Sequence, residues 1–257
     1  MTAPILEVEN VTKAFGAFRA IDGCTLSVQP QTITGLIGPN GAGKTTLFNL
    51  ITSFTKPTSG QVRFLGERID GMAPHRIVRR GIVRTFQIPR ELATMTVLEN
   101  LMLVPIEQLG EQIWGAWLLP SRVAKQEREN FQRAREVLEF VDLFELRDER
   151  AGNLSGGQKK LLELARTLMA NPKLILLDEP GAGVNRVLMQ RLVEKIRALR
   201  DELGITIFLI EHDMDLVARL CDPVIVMSEG RTLMQGTIDE VRADERVLEA
   251  YLGGQYR

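Results

Sequence analysis

Residues Gly38–Thr45 read GPNGAGKT and fit the pattern G-x-x-x-x-G-K-[ST] at every fixed position. Glycines in such a loop leave backbone N–H groups free to surround phosphate oxygens, and the lysine ammonium reaches the outer phosphates. The hydroxyl that follows the lysine can ligate Mg²⁺. The sequence therefore predicts a nucleoside triphosphate site made of Gly38, Pro39, Asn40, Gly41, Ala42, Gly43, Lys44, Thr45 and Thr46.

Two acidic residues follow a short apolar run in the later stretch LILLDEP. Asp178 ends the predicted strand, and Glu179 comes directly after it. A carboxylate beside a phosphate loop can hold Mg²⁺ through its hydration shell, and a second one can polarise a water for in-line attack. We therefore predict that Asp178 contributes to a magnesium site and that Glu179 is the general base.

A second anion-facing helix start occurs at Leu154–Gln158, which reads LSGGQ. A capping hydroxyl at Ser155 and side-chain-free backbone at Gly156 and Gly157 precede an apolar-periodic run. Free N–H groups and the helix dipole favour an anion at such a position. The residues alone leave open whether Leu154, Ser155, Gly156, Gly157 and Gln158 form a phosphate site or only a local helix cap.

The elements around these motifs alternate between strands and helices. TITGLIG reads as a strand that enters the glycine-rich loop, and KTTLFNLIT continues as a helix. The runs KLILLDEP and ITIFLIEHD are continuously apolar, which is typical of parallel strands buried on both faces. The stretch VIVMSEGRTLMQG predicts a hairpin with a Glu-Gly turn, followed by a last amphipathic helix. This order places the phosphate site at the carboxyl edge of an α/β sheet.

Helical periodicity dominates from about residue 89 to residue 153, which predicts an inserted helical segment in a single domain of residues 1–257. The core is then built from about 1–88 and 154–257. Two apolar stripes at helical spacing are expected to face the interior: Phe131, Ala134, Leu138 and Val141, and then Leu188, Leu192, Ile196, Leu199 and Leu203.

The bulk composition excludes several classes of protein. The chain has 257 residues and a formal net charge of −1, so no basic excess indicates a nucleic-acid partner. Cys24 and Cys221 match no metal-ligand spacing and are expected to be buried, reduced thiols. The start MTAPILEVEN lacks the features of a signal peptide, and the apolar runs are too short to span a bilayer. We therefore expect any membrane crossing to be done by another chain.

The three motifs, in this order and over nearly the whole chain, resemble the ATP-binding-cassette ATPases. That resemblance implies a P-loop, RecA-like core with an N-terminal antiparallel β subdomain and an inserted α-helical subdomain. It also implies ATP and Mg²⁺ as ligands. In that family LSGGQ is the signature motif, and it covers the nucleotide bound by the phosphate loop of a partner chain. The second anion site of this chain would then belong to the partner's ATP.

The resemblance assigns further positions one at a time. Gln87 in VRTFQIP would sense the γ-phosphate and Mg²⁺ and contact a transmembrane partner, and His212 in IEHD would hydrogen-bond the γ-phosphate. Phe15 in VTKAFG would stack on adenine, unless it is a core residue. His75 has no such context and is expected at the surface. Asn185 departs from the family, which usually has Asp there, so communication between the two ATP sites is in doubt.

Two kinds of cassette ATPase are considered: a transporter subunit, and a soluble mechanoenzyme of DNA repair or translation. The compact insert without sustained heptads and the single cassette favour the transporter. The stretches GIVRTFQ, MTVLENLML, IEHDM and VLEAYLG resemble the branched-chain amino-acid importer ATPases. Related subfamilies, which move urea or other amides or extract lipopolysaccharide, share much of this pattern.

A transporter subunit of this kind implies particular partners. These are transmembrane permease subunits, a second ATPase subunit and, indirectly, a periplasmic or extracellular solute-binding protein. The resemblance favours a mixed pair of ATPases over two copies of this chain, placed peripherally on the cytoplasmic face of the membrane. The segment with Trp114 and Trp117 either contacts a membrane subunit or packs within the helical lobe.

Overall fold

The computed structural model describes residues 3–85, 91–111, 113–184 and 186–253. These residues form two compact units. The first contains Met1–Gln87, Lys173–Ala182 and Ile196–Arg257, and the second contains Ile88–Pro172 and Gly183–Lys195. The helical insertion predicted at 89–153 lies within the second unit, which continues beyond it.

An antiparallel sheet of four strands occupies the N-terminal part of the first unit, as the sequence resemblance implies. Its order is β2-β1-β4-β5, and the first two strands form a long hairpin in which Phe15 and Phe18 are register partners. Alternation of buried apolar and exposed polar side chains places one face of this sheet on the core. The strands are β1 (Leu6–Phe15), β2 (Phe18–Val28), β4 (Ser59–Phe64) and β5 (Glu67–Arg68).

The second sheet has six strands in the order β10-β9-β3-β8-β7-β6 and is parallel except for β10. Every residue of β3, β7 and β8 is buried, as their continuously apolar sequences predict. The carboxyl ends of these three neighbouring strands carry the candidate site. The strands are β3 (Ile33–Ile37), β6 (Ile82–Arg84), β7 (Leu174–Asp178), β8 (Thr206–Ile210), β9 (Val224–Ser228) and β10 (Arg231–Gly236).

Helices cover the sheets of the first unit. The predicted hairpin is present: Glu229 and Gly230 both have positive φ, which suits the turn between β9 and β10. The single predicted last helix is instead two helices, because the backbone turns extended at Asp244. The helices are α1 (Lys44–Ile51), α2 (Pro74–Arg80), α8 (Met214–Leu220), α9 (Ile238–Ala243) and α10 (Glu245–Gly253).

The second unit is helical in the parts that the structure describes. Its elements are α3 (Val97–Met102), α4 (Ile113–Leu118), α5 (Pro120–Phe140), α6 (Gly156–Met169) and the first part of α7 (Arg186–Asp201), whose last residues belong to the first unit. Short 3-10 turns occur at Leu109–Glu111, Phe144–Leu146 and Ala151–Asn153.

The α5 stripe is buried except at its first residue, and the α7 stripe is buried in its middle, with Leu188 partly buried. On α5, Ala134 and Leu138 are buried, but Phe131 is 48% exposed because the buried face begins one turn later. On α7, Leu192, Ile196 and Leu199 are buried, whereas Leu203 lies beyond the helix end and is 52% exposed. Helical periodicity no longer applies after Asp201, so the prediction for Leu203 was wrong.

Both cysteines are buried in the first unit and form no disulfide. Burial raises the pKa of the Cys24 thiol, and it raises the pKa of Cys221 to about 12. Both thiols therefore stay protonated at neutral pH, which agrees with the expectation of unreactive cysteines. Among the described residues, no helix combines the length and the apolar character that a bilayer crossing requires.

Candidate nucleotide-binding site

A cavity of about 280 Å³ lies at the carboxyl edge of the parallel sheet, between the loop after β3 and the ends of β7 and β8. It brings together the predicted phosphate loop and the predicted residues Glu179 and His212. Two residues of β2, Phe18 and Ala20, also line it and were not predicted. The full lining is Phe18, Ala20, Asn40, Gly41, Ala42, Gly43, Lys44, Thr45, Thr46, Glu179 and His212.

The path of the loop depends on glycine at both ends. Gly43 has φ 100° and precedes the first residue of α1, a conformation that side chains with a Cβ rarely adopt. Gly38 follows β3, and a Cβ there would overlap with the backbone carbonyl of Met227 on β9. The loop can therefore turn back over the N-terminus of α1 and point its N–H groups into the cavity.

Lys44 lies at the start of α1 and is 6% exposed. Its Nζ donates hydrogen bonds to the backbone carbonyls of Gly38 at 2.7 Å and Pro39 at 3.0 Å. Burial lowers the pKa of this ammonium, while the carboxylates of Glu179 and Asp178 oppose that effect. The loop thus holds a cation beside its own N–H groups, an arrangement that attracts phosphate.

Asp178 ends β7 and forms an ion pair that the sequence analysis missed. The Arg84 guanidinium donates to its Oδ2 at 2.6 Å, and both side chains are under 10% exposed, at 7% and 8%. Arg84 also donates to Oδ1 of Asn49 on α1 at 2.6 Å. One carboxylate oxygen of Asp178 is therefore engaged with β6. Because the two residues are 94 positions apart, only the observed pairing of β6 with β7 reveals the contact.

Glu179 and His212 form the polar centre of the cavity. Glu179 has φ 49°, an uncommon backbone conformation for a non-glycine residue. Its N–H donates to the carbonyl of Ile210 at 3.0 Å, and its Oε1 lies 2.6 Å from Nε2 of His212. An ionised carboxylate only accepts hydrogen bonds, so the hydrogen of the His212 ring is on Nε2 in this contact. The two predicted residues therefore act as a hydrogen-bonded pair.

Glu211 precedes His212, is 4% exposed and was not predicted. Its carboxylate accepts the N–H of Gly181 at 2.7 Å and the N–H of His212 at 3.1 Å. Burial raises the pKa of this carboxyl group, and the backbone N–H donors oppose the rise. Glu211 therefore links the backbone of Gly181, just after Glu179, to the backbone of His212, just after the end of β8.

The signature segment lies in the second unit and forms a helix cap. Ser155 Oγ accepts the N–H of Gln158 at 3.3 Å, and the Gln158 side chain accepts the N–H of Ser155 at 2.9 Å. The two glycines differ in their surroundings. A Cβ on Gly156 would meet nothing within 4 Å, whereas a Cβ on Gly157 would overlap with the Leu188 side chain. A side chain at Gly157 would thus force Leu188 to move, whereas one at Gly156 would displace nothing within its own unit.

Other predicted residues have mixed outcomes. Phe15 is 53% exposed, so it is not a core residue, and the Lys13 ammonium lies 4.9 Å from its ring centroid. It is not among the residues that line the cavity. His75 is exposed, as expected. Gln87 and Asn185 lie outside the described residues, and their assigned roles stay predictions.

Tyr251 on the C-terminal helix is close to the phosphate loop. Burial raises the pKa of its phenol, and the backbone N–H of Gly38 opposes that rise. Tyr251 belongs to VLEAYLG, a stretch that the sequence analysis noted only for its resemblance to a transporter group. Nothing in local sequence spacing indicated a contact between residues so far apart.

A glycine-rich loop between a buried parallel strand and a helix, with carboxylates at the end of another strand of the same sheet, defines a P-loop nucleoside triphosphatase. The chain belongs to the ABC transporter family, whose model matches residues 21–182. A second model, described as branched-chain amino acid ATP-binding cassette transporter, matches residues 231–257. Membership of this family implies that the chain binds and hydrolyses ATP.

Named relatives are similar over nearly their whole length. The chain is 41% identical to the high-affinity branched-chain amino acid transport ATP-binding protein BraF of Pseudomonas aeruginosa, covering 98% of this chain and 99% of that protein. It is 42% identical to the probable branched-chain amino acid transport ATP-binding protein LivG of Archaeoglobus fulgidus, covering 98% and 96%. The crystal structure of the ADP conformation of MJ1267, an ATP-binding cassette of an ABC transporter, has a TM-score of 0.84 at 42% identity and covers 98% and 100%.

Proposed function

We propose that this chain is the magnesium-dependent, ATP-hydrolysing subunit of a membrane importer for branched-chain amino acids. One observation carries the catalytic part: the hydrogen-bonded pair Glu179–His212 lies in the same cavity as the phosphate loop. The solute is inferred from the names of BraF and LivG and from the model matched by residues 231–257.

The phosphate loop binds the triphosphate. Lys44 exchanges its contacts with the Gly38 and Pro39 carbonyls for phosphate oxygens, which are better partners for an ammonium. The N–H groups of residues 40–46 surround the β- and γ-phosphates at the positive end of α1. The carboxylates of Glu179 and Asp178 favour the charged form of the buried Lys44. The ammonium is therefore already in the site before the nucleotide binds.

The residues present fit a magnesium ion. Mg²⁺ takes oxygen ligands and usually combines one or two protein oxygens with phosphate oxygens and water. Thr45 lines the cavity, and Asp178 lies at the end of β7 in the same sheet, with one carboxylate oxygen on Arg84. Thr45 and Asp178, with Gln87 as the family resemblance implies, would hold the ion. When bound, Mg²⁺ neutralises charge on the transferring phosphoryl group.

Glu179 accepts the proton of the attacking water. The hydrogen bond from His212 Nε2 holds one carboxylate oxygen of Glu179 in place. The side chain is therefore restrained, and its other oxygen is positioned to accept the proton. His212 lies where the γ-phosphate would end, and its N–H would turn to that phosphate once nucleotide is present. The base and the phosphate sensor are thus coupled through one short contact.

The proposal includes an assembly. The signature segment Leu154–Gln158 would cover the nucleotide of a second ATPase subunit, which is a related chain or a second copy of this one. Transmembrane permease subunits would receive the movement of the ATPase subunits at the cytoplasmic face of the membrane. An external solute-binding protein would deliver the solute. The open surroundings of Gly156 support this role, because its missing side chain serves no contact within the second unit.

Two variants of the same cavity test the catalytic assignment. Lys44→Ala removes a direct phosphate contact, so nucleotide affinity and turnover should fall together. Glu179→Gln keeps the shape and a hydrogen-bond partner for His212, so it should retain ATP binding while hydrolysis falls by a factor of about a hundred or more. Equilibrium binding and phosphate release with and without Mg²⁺ would be measured on both. Hydrolysis by Glu179→Gln at the wild-type rate would show that the base is elsewhere.

A further inference from the structure

Three large apolar side chains of α4 are exposed side by side. Trp114, Trp117 and Leu118 have 71%, 76% and 63% of their surface in solvent. Their spacing of three and four positions puts them on one face of the helix. We call these three residues the α4 patch. Exposed contiguous apolar surface of this kind marks a place of interaction.

The segment before the patch is fixed to α5. Oε1 of Gln126 accepts the N–H of Leu109 at 2.8 Å, and Nε2 of Gln126 donates to the carbonyl of Glu107 at 3.1 Å. A Cβ on Gly110 would lie 3.3 Å from the Val123 side chain, so the 3-10 turn packs closely on the same helix. The patch therefore projects from an anchored turn.

Every charged side chain within residues 112–126 is basic, and acidic residues flank this stretch at Glu111 and Glu127. The two basic residues, Arg122 and Lys125, are exposed in the first turns of α5. The Lys125 ammonium lies 3.7 Å from Oε1 of Glu129, and both of these side chains are mostly exposed. Indole rings combine a large apolar body with one N–H donor and concentrate at membrane interfaces, where basic side chains meet anionic headgroups.

We propose that the α4 patch inserts into the headgroup region of a bilayer that contains anionic lipid, with Arg122 and Lys125 on the lipid phosphates. A helix of six residues is far too short to span a bilayer, but it can lie in the interface with its apolar face inward. The inference rests on the proposed function only in that the chain works at a membrane.

The two tryptophans of the patch are the only two in the chain, so selectively excited tryptophan emission reports on this surface alone. The full chain would be mixed with vesicles of phosphatidylcholine, with or without phosphatidylglycerol, in the absence of nucleotide. We expect a blue shift of the emission with the anionic vesicles and quenching by lipids brominated on the acyl chain. Unchanged emission with anionic vesicles would overturn the proposal.

Variants locate the contact. Trp114→Ala and Trp117→Ala should each weaken co-sedimentation with anionic vesicles by about tenfold, because each removes a large ring that the bilayer would bury. Arg122→Gln and Lys125→Gln should each weaken it by about fivefold and reduce the preference for anionic lipid. Phe131→Ala is the control, since Phe131 is an exposed aromatic on α5 outside the patch, and the variant should bind vesicles as the wild type does.

Two comparisons separate this proposal from others. If the emission shifts with detergent-solubilised permease subunits but not with vesicles, the occupant is a protein and the lipid proposal is wrong. Vesicle binding needs no ATP, so a negative result leaves the tests of Lys44 and Glu179 unaffected. ATP binding should be the same in all patch variants, which shows that the second unit and the cavity are intact.

Discussion

Glu211 and His212 are adjacent on the chain but serve the cavity in different ways. His212 contacts Glu179 directly, whereas Glu211 lies behind it and holds the backbone of Gly181 and His212. A buried carboxylate is unfavourable unless donors compensate for lost water. At this position the backbone donors compensate in part, and the position of the proposed base Glu179 depends on a residue that does not line the cavity.

Replacing Glu211 should therefore affect stability and hydrolysis together. Glu211→Ala leaves the N–H groups of Gly181 and His212 without this acceptor, which should destabilise the chain by about 1–3 kcal/mol. Phosphate release should fall because the Glu179–His212 contact is no longer supported. Glu211→Gln keeps one acceptor oxygen and should be milder in both respects. Urea unfolding and steady-state hydrolysis measure the two effects, and equal values for wild type and Glu211→Ala would contradict the assigned role.

The same residue predicts a pH dependence with a definite sign. Burial raises the folded-state pKa of Glu211, so between the unfolded value of about 4.3 and that raised value the folded chain binds more protons. The stability contributed by the protonated form is present below this window and is lost as pH rises through it. The free energy of unfolding of the wild type should therefore fall, relative to that of Glu211→Gln, as pH rises through this window. A difference independent of pH would contradict the prediction.

Recognition of the base is expected to depend on stacking. Phe15 is an exposed aromatic at the end of β1, and any purine offers it a π-face. Phe15→Ala should weaken ATP and GTP binding by a similar factor of about ten. Phe18→Ala is the matched comparison, because Phe18 is its register partner and lines the cavity. If only Phe18→Ala weakens binding, the base stacks on Phe18; strong discrimination between ATP and GTP would instead indicate hydrogen-bond readout.

At the scale of elements, the two glycines at the start of α6 are expected to differ in role, one in packing and the other in function. Gly157 faces the Leu188 side chain, so Gly157→Ala should overpack this contact and destabilise the second unit by about 1–3 kcal/mol. Gly156 faces open space, and an acidic side chain in the first helical turn interacts well with the dipole. Gly156→Asp should therefore keep the melting temperature and ATP binding while hydrolysis in the assembled transporter is lost. Thermal unfolding and hydrolysis assays distinguish the two variants, and a lower melting temperature for Gly156→Asp would contradict the argument.

The hydroxyl of Tyr251 on α10 lies near the start of the phosphate loop. Tyr251→Phe keeps the ring and removes the hydroxyl whose pKa the Gly38 N–H lowers, which should reduce the free energy of unfolding by at most about 1 kcal/mol. ATP affinity should fall modestly, because Gly38 begins the loop. Leu252→Ala is the control, since this neighbouring side chain is 62% exposed and lies on the same helix. Equal ATP affinity and stability in Tyr251→Phe and wild type would show that the contact is dispensable.

The elements could be predicted from sequence where the signal is local. The phosphate loop, the buried strands β7 and β8 and the hairpin after β9 each follow from a short run of residues. The ion pair of Arg84 with Asp178 and the contacts of Glu211 and Tyr251 could not be predicted. They join segments that only sheet order and helix packing bring together. Phe131 shows a different limit of prediction from sequence. Periodicity predicts which face of a helix is apolar but not at which residue that face becomes buried.

At the scale of the whole molecule, the chain carries two helix starts suited to phosphate in two separate units. The start of α1 has its own cavity, which contains Lys44 and the hydrogen-bonded pair Glu179–His212. The start of α6 has a capping serine and an open glycine. This asymmetry is what we expect if α6 completes a site whose phosphate loop belongs to another chain.

Two variants of this chain, each assembled with wild-type second ATPase and permease, should therefore lose different sites. Lys44→Ala removes a phosphate contact of the loop on this chain, so this chain's own nucleotide is lost. Gly156→Asp places a negative side chain against the γ-phosphate held by the partner's loop, so the other site should be lost while this loop still binds ATP. Photo-crosslinking with an azido-ATP, followed by separation of the two ATPase chains, reports which loop retains nucleotide. Loss of labelling on this chain in both variants would mean that the α6 start acts within its own chain, and the shared-site assignment would then be wrong.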